Sequence, residues 1–364
     1  VTDSAEPVDE PPEVVDTAQV SAAFDRRKTI IGAVVTVVTL AIVFIGIIPK
    51  FGSYADAWAE IQKMGAGALA AVAASVLVMI MVYVLPYQAA MPGLRYGPAF
   101  LIRQTSFMIS NAIPAGGAVG LALQYAMLSS YHVPMAAATA GIAVTSLWSM
   151  LMTLTLPVLG VLAALTTGQV EQRWVWAGLA GVAATTAVVV GLWLILRGEE
   201  SARRVGRLGN RLLEPVNRRR ANPLDAVGMV MDLRTTTADV LSSRWLWVTV
   251  SNYLVVLAQF GVLWFAIRGV AGPGAGGIGL AGAFAAFAIS RLASMIPITP
   301  GGLGTVDAAL IAMLVTFGLP EPLAVASTLV WRAATFIPQV CLGILTFVAW
   351  RLQQARVARV SPAG

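Results

Sequence analysis

Arg291, Asp307 and Arg332 are charged side chains set inside otherwise apolar sequence. A charge at the centre of a membrane helix costs about 2.5–3.5 kcal/mol on insertion scales, so residues of this kind mark work that needs a charge. Two roles fit Asp307 and Arg332. They form an ion pair that holds the C-terminal half together, or they bind a lipid head group or take part in a coupled charge movement. Arg103 is a further candidate, set nearer an expected membrane interface. Asn111, Gln124 and Gln339 are neutral, and the expectation for them is hydrogen bonding that ties helices together.

Two helix-breaking loops accompany these charges, and they repeat each other. Ile113-Pro114-Ala115-Gly116-Gly117, followed by Pro134 and Trp148, returns as Ile296-Pro297-Ile298-Thr299-Pro300-Gly301-Gly302, followed by Pro320 and Trp331. Paired Gly/Pro interruptions at corresponding points of two halves are the sequence mark of a transporter built from internal repeats. Irregular backbone at membrane depth survives only where protein or a water-filled cavity satisfies its N–H and C=O groups. The loops therefore point to a cavity, or to burial inside the bundle. N–H groups exposed at half-helix starts after Gly117 and Gly302 suit a phosphate or carboxylate. The expected lining of a head-group path is Pro114, Gly116, Gly117, Arg291, Pro297, Thr299, Pro300, Gly301, Gly302, Gly304, Asp307 and Arg332.

The elements that must position these residues are membrane helices. With 58% hydrophobic residues, 12% charged residues and a mean hydropathy of +0.79, the chain has too little polar surface to coat a soluble fold. One cysteine, Cys341, and one histidine, His132, exclude a disulfide framework and a Cys/His metal site made by the chain alone. His132 adjoins Val133-Pro134, where a loop or interface position is expected. A net charge of +6 does not signal nucleic acid, because the basic residues flank apolar segments and no base-reading motif accompanies them. Walker, dinucleotide and paired-carboxylate signatures are missing as well, so no cofactor and no enzyme chemistry is indicated.

Residues 1–25 are acidic, proline-containing and poor in large apolar side chains, which predicts a disordered tail. Arg26-Arg27-Lys28 then precedes an expected retained span, Thr29 to Ile48, long enough for about 30 Å of hydrocarbon. It lacks the small-residue cleavage site of a signal peptide. Further spans are expected at Gly65 to Pro86, Met135 to Leu165, Trp174 to Leu196, Trp245 to Ile267 and Leu323 to Trp350. Pro98 to Ala112 and Ala118 to Tyr131 are each about 22 Å long as helices, and they are expected to form a hairpin with no net crossing. Leu280 to Met295 and Thr305 to Phe317 are expected to do the same around the second loop.

Basic flanks at 26–28, 197–244 and 351–359 then all fall on the cytoplasmic side of a cytoplasmic (inner) membrane, together with both termini. Three full spans separate the loops, so one repeat is inverted against the other. The first repeat runs over about 29–196 and the second over 245–350. The Arg-rich segment 197–244 is a topology anchor or a contact for anionic lipid head groups, and 352–364 is a basic tail. Trp148, Trp174, Trp176, Trp245, Trp247 and Trp350 are expected near span ends, in aromatic belts.

The run Pro297-Ile298-Thr299-Pro300-Gly301-Gly302-Leu303-Gly304-Thr305-Val306-Asp307-Ala308-Ala309, with Arg332, Thr335, Phe336, Pro338 and Gly343 downstream, resembles the lysylphosphatidylglycerol synthase transmembrane region, or flippase-like domain family. The resemblance covers nearly the whole chain and its membrane half alone, with no aminoacyl-transferase domain. It implies translocation of a lipid, anionic or lipid-linked, rather than its synthesis. Two departures stand out. Asp307 occupies a position where the family often has Glu, and the first repeat reads Ala118-Val119-Gly120-Leu121 where many members carry a Gly-Glu pair. Two other readings stay open: a non-transporting scaffold for a cytoplasmic glycosyl- or aminoacyl-transferase, and a membrane enzyme acting on a lipid-linked substrate.

Overall fold

The computed structural model describes residues 54–112, 116–168, 172–217, 225–272, 274, 277–295, 302 and 304–360. The expected tail 1–25, the expected span Thr29 to Ile48, and Pro114, Pro297, Thr299, Pro300 and Gly301 lie outside the described residues. The described residues form an all-helical protein. A short helix α1 (Tyr54–Gln62) leads into α2 (Ala66–Val82) and α3 (Leu85–Ala90), which together make one apolar span. Pro86 explains the break between them, because it has no N–H to return to the previous turn.

Next come α4 (Tyr96–Ala112) and α5 (Gly116–Ser130), then the long α6 (Met135–Leu165). Helix α7 (Gln172–Arg197) is followed by α8 (Glu199–Asn217) and by α9 (Ala226–Ala271). The second half closes with α10 (Leu280–Ser290), a 3-10 turn (Arg291–Met295), α11 (Thr305–Thr316) and α12 (Glu321–Val360).

Among the described residues, four helices are long and apolar enough to cross a membrane: Ala66–Ala90, Met135–Leu165, Ser243–Ala271 and Glu321–Gln354. They match four of the spans read from the sequence. The span expected at Trp174 to Leu196 is helical throughout as α7, with Thr186–Ile195 its apolar part among the described residues. Leu77, Trp247 and Leu345 are 62%, 67% and 64% exposed on these helices. Apolar residues that open on a helix face away from the bundle belong against lipid. The chain is therefore an integral membrane protein.

The helices on either side of each broken segment lie against each other as antiparallel pairs. Gly116 of α5 is so close to α4 that a Cβ there would sit 2.0 Å from the Ile109 carbonyl oxygen, and one at Gly120 would sit 2.3 Å from Ser110 Oγ. The backbone neighbours descend from 109 to 106 on α4 as they ascend from 116 to 120 on α5, which makes the pair antiparallel, and only glycine permits so close an approach. In the second half Gly282, near the start of α10, faces Phe317 just past the end of α11.

The two halves then exchange contacts. Helix α4 lies on α12, where a Cβ at Gly343 would meet Met108 Cβ at 2.2 Å and Thr105 bonds Thr346 at 2.9 Å. Reciprocally, α10 lies on α6, where a Cβ at Gly160 would meet Ala288 Cβ at 2.7 Å. An aromatic cluster of Phe260, Phe284, Phe287 and Trp331, with centroids 5.1–6.2 Å apart, fills the centre between α9, α10 and α12.

Three expectations change. Trp148 does not sit in an interfacial belt. It is buried near the middle of α6, and its indole N–H donates to Thr249 Oγ1 at 2.9 Å. Trp350 is also buried and donates to Ser130 Oγ at 2.9 Å, whereas Trp245 and Trp247 are exposed at the start of their span. Asn111 and Gln339 do not tie helices together through their amide N–H groups. Each donates to a carbonyl one turn back on its own helix, to Phe107 at 2.8 Å and to Thr335 at 2.6 Å. Among the hydroxyl and indole groups, the Thr105–Thr346, Trp148–Thr249 and Trp350–Ser130 bonds do join helices.

Candidate functional site

The second broken loop re-enters helix at Gly304, and its geometry fixes Asp307. Gly302 and Gly304 have φ of +65° and +86°, a left-handed backbone that side chains with a Cβ rarely adopt. At Gly302 a Cβ would also sit 2.7 Å from Val306 Cγ2. Asp307 is then the third residue of α11. Its Oδ2 accepts the Gly304 backbone N–H at 2.8 Å, which satisfies one of the donors left over at a helix start. Its other oxygen, Oδ1, accepts Nε of Arg332 from α12 at 2.6 Å. Arg332 Nη2 is also 2.6 Å from Oδ1, but its N–H direction misses the oxygen and it remains without an aligned acceptor. Asp307 is 3% exposed and both its oxygens are engaged. The ion-pair reading of this couple is the geometry found.

Two other guanidinium groups have no carboxylate partner among the described residues. Arg291, at the end of α10, donates to Gln259 Oε1 of α9 and lies 5.4 Å over the Phe287 ring. Gln259 is held in turn through its carbonyl, which accepts the Trp331 indole N–H at 3.3 Å. Arg103, on α4, stacks over Tyr83 at 4.4 Å and Phe107 at 5.1 Å, and among the described residues no acid lies within ion-pair distance of it or of Arg291. Aromatic faces offset part of the cost of holding a cation away from water.

These arginines line three linked cavities. The largest, about 580 Å³, lies between α3, α4, α5, α6 and α9 and is bounded by Arg103, Gly117, Gln124, Ser149 and Asn252. A second, about 240 Å³, shares Ser149 and Asn252 with it and adds Gln259 and Arg291. The third, about 90 Å³, shares Gln259 and Arg291 with the second and adds Arg332, Asn111 and Gln339. Tyr83, at the break between α2 and α3, lines all three. Ser149 is one residue from the midpoint of Met135–Leu165, and Gln259 is two from that of Ser243–Ala271, so the chain of cavities crosses the middle of the spans. A separate groove of about 460 Å³ between α3 and α9, beside Arg244 and Trp247, shares no lining residue with them.

The structure thus divides the candidates read from the sequence. Gly117, Arg291 and Arg332 face the cavities, Gly302, Gly304 and Asp307 act from behind Arg332, and Gly116 serves the packing of α5 on α4. Arg103, placed near the interface by sequence, joins the cavity wall. Tyr83, Ser149, Asn252 and Gln259 were not singled out. Asn252 and Gln259 did carry a signal, as the two amides inside the expected span Trp245 to Ile267.

An all-helical integral membrane protein with a cationic cavity buried between its two halves is the class that fold and site define. Residues 29–343 match the family described as the lysylphosphatidylglycerol synthase TM region. The chain belongs to that family. No curated protein matches it significantly.

Proposed function

We propose that the protein moves a lipid with a phosphorylated head group between the leaflets of the cytoplasmic membrane. The observation that carries this reading is the run of linked cavities with three arginines and one carboxylate, whose two oxygens are already bonded. A buried surplus of positive charge is costly unless an anion visits it. Phosphate is the anion that a membrane supplies at high density, and guanidinium is the side chain best matched to it. The two hairpins, α4–α5 and α10–α11, enter from opposite faces as inverted repeats, with both termini and the 197–244 segment cytoplasmic. Acyl tails stay in the bilayer while the head group passes Arg103, Arg291 and Arg332 in turn. Movement is downhill or driven by the membrane potential, which does about 2.3 kcal/mol of work per charge per 100 mV.

The test is reconstitution of the purified protein in vesicles that carry acyl-labelled phosphatidylglycerol, with a membrane-impermeant quencher reporting transfer. Wild type should expose inner-leaflet label faster than protein-free vesicles do, and Arg291→Gln should slow it at least tenfold. Equal rates with and without protein would sink the proposal. The scaffold reading has one observation in its favour. Residues 226–242 of α9 extend beyond the apolar span Ser243–Ala271 and carry α8 against them, which offers a transferase something to hold.

A further inference from the structure

The lipid's head group can be narrowed by what the cavity lacks. No Asp or Glu occurs between residues 61 and 170 or between 240 and 306, so neither the described walls nor the Pro/Gly loops within those ranges can supply a carboxylate. Glu321 begins α12, and Asp307 is spent on Arg332 and the Gly304 N–H. Among the described residues, an ammonium entering this site would find only neutral oxygen acceptors, and it would face Arg103, Arg291 and Arg332 across a medium that screens like charges poorly. A phosphate would meet Arg103 and Arg291, neither of which has a carboxylate partner among the described residues.

On the reading that the chain translocates lipid, we infer that its substrate is an anionic head group carrying no ammonium. Phosphatidylglycerol and phosphatidic acid satisfy that chemistry. Phosphatidylethanolamine does not, and an aminoacylated phosphatidylglycerol, with its lysyl cation, is the worst fit. The family description therefore names a lipid that this chain's cavity repels. Gln124 is the place to reverse the preference. It is buried, lines the same cavity as Arg103, and differs from Glu by one atom and a charge.

The experiment compares four acyl-labelled lipids with identical tails in the vesicle assay: phosphatidylglycerol, phosphatidic acid, phosphatidylethanolamine and lysyl-phosphatidylglycerol. Wild type should move the first two at least tenfold faster than the last two. The Gln124→Glu variant should shrink that ratio to about threefold or less, with a matching thermal stability to show that it is folded. Equal rates for all four in wild type would overturn the charge selection and leave translocation standing. If no lipid moves, translocation fails, and native mass spectrometry of the same lipids on the detergent-solubilised protein decides the selection alone. Preferential retention of the two anionic lipids supports the inference there, and indifference or preference for lysyl-phosphatidylglycerol overturns it.

Discussion

Substitution of Asp307 by Asn removes one charge and almost nothing else. The amide keeps an oxygen for the Gly304 N–H, so the helix start survives while Arg332 is left without its counter-ion. Arg332 and Asp307 are 16% and 3% exposed, and removing one member of a buried pair costs about 3–5 kcal/mol, because the remaining charge is stranded. Membrane proteins set the lower end, since their unfolded state also finds polar partners. We expect about 3 kcal/mol for Asp307→Asn and a similar loss for Arg332→Gln, about 160-fold in the folded-to-unfolded ratio. The double variant strands no charge and should fall within about 1 kcal/mol of the worse single, a coupling of about 2 kcal/mol. Denaturant unfolding of the four proteins in one detergent, followed by tryptophan fluorescence, closes the cycle. Losses that add to within about 0.5 kcal/mol would refute the reasoning, because the two residues would then be acting separately.

Four further outcomes are expected. Gly116→Ala should destabilise by about 1–3 kcal/mol, because its Cβ would overlap the Ile109 carbonyl, while Gly117→Ala, with nothing within 4 Å, should stay within about 0.5 kcal/mol in the same unfolding assay. Trp148→Phe should cost about 1 kcal/mol through its lost bond to Thr249. Asp225 has its pKa lowered, chiefly by the Asn210 side-chain hydrogen bond and then by the Gly228 N–H. Its stabilisation of the α8–α9 junction is therefore present above the ordinary carboxylate pKa and lost as pH falls through the lowered one. The protection of the amides at 226–228 against hydrogen exchange, taken relative to the free-peptide rate at each pH, should fall on acidification below about pH 4 in wild type and change little with pH in Asp225→Asn. Reporter fusions at Asn210 and after Gly364 should both read cytoplasmic, and a periplasmic signal at Asn210 would overturn the orientation.

Much of the framework could be read from the chain because bilayer solvent imposes long apolar runs, and Met135–Leu165 is the same segment in sequence and in structure. The Asp307–Arg332 couple was legible for a similar reason, since charges in apolar sequence must find each other or a ligand. Asn111 and Gln339 were misread because composition cannot say whether an amide reaches a neighbour or folds back on its own turn. Trp148 was misread because residue type alone does not give depth. Tyr83 could not be picked out at all. Its importance comes from the break caused by Pro86 and from the meeting of three cavities at one ring, which is a property of tertiary geometry.

Helix α9 runs unbroken for 46 residues, about 69 Å at 1.5 Å per residue, more than twice the thickness of the hydrocarbon it crosses. Some 17 residues of it, 226–242, lie before the apolar span, pinned to α8 through Asn210 and Asp225. Farther along the same rod are Asn252 and Gln259. A continuous helix has no hinge in which to dissipate a tilt, so the membrane fixes a fulcrum and the outer segment becomes a lever arm. Displacement of the α8–α9 head by a few ångströms would swing Gln259, and the Arg291 that it holds, the other way across the cavity. Whatever grips that head from the aqueous side thus has mechanical access to the buried cavities without ever entering the bilayer.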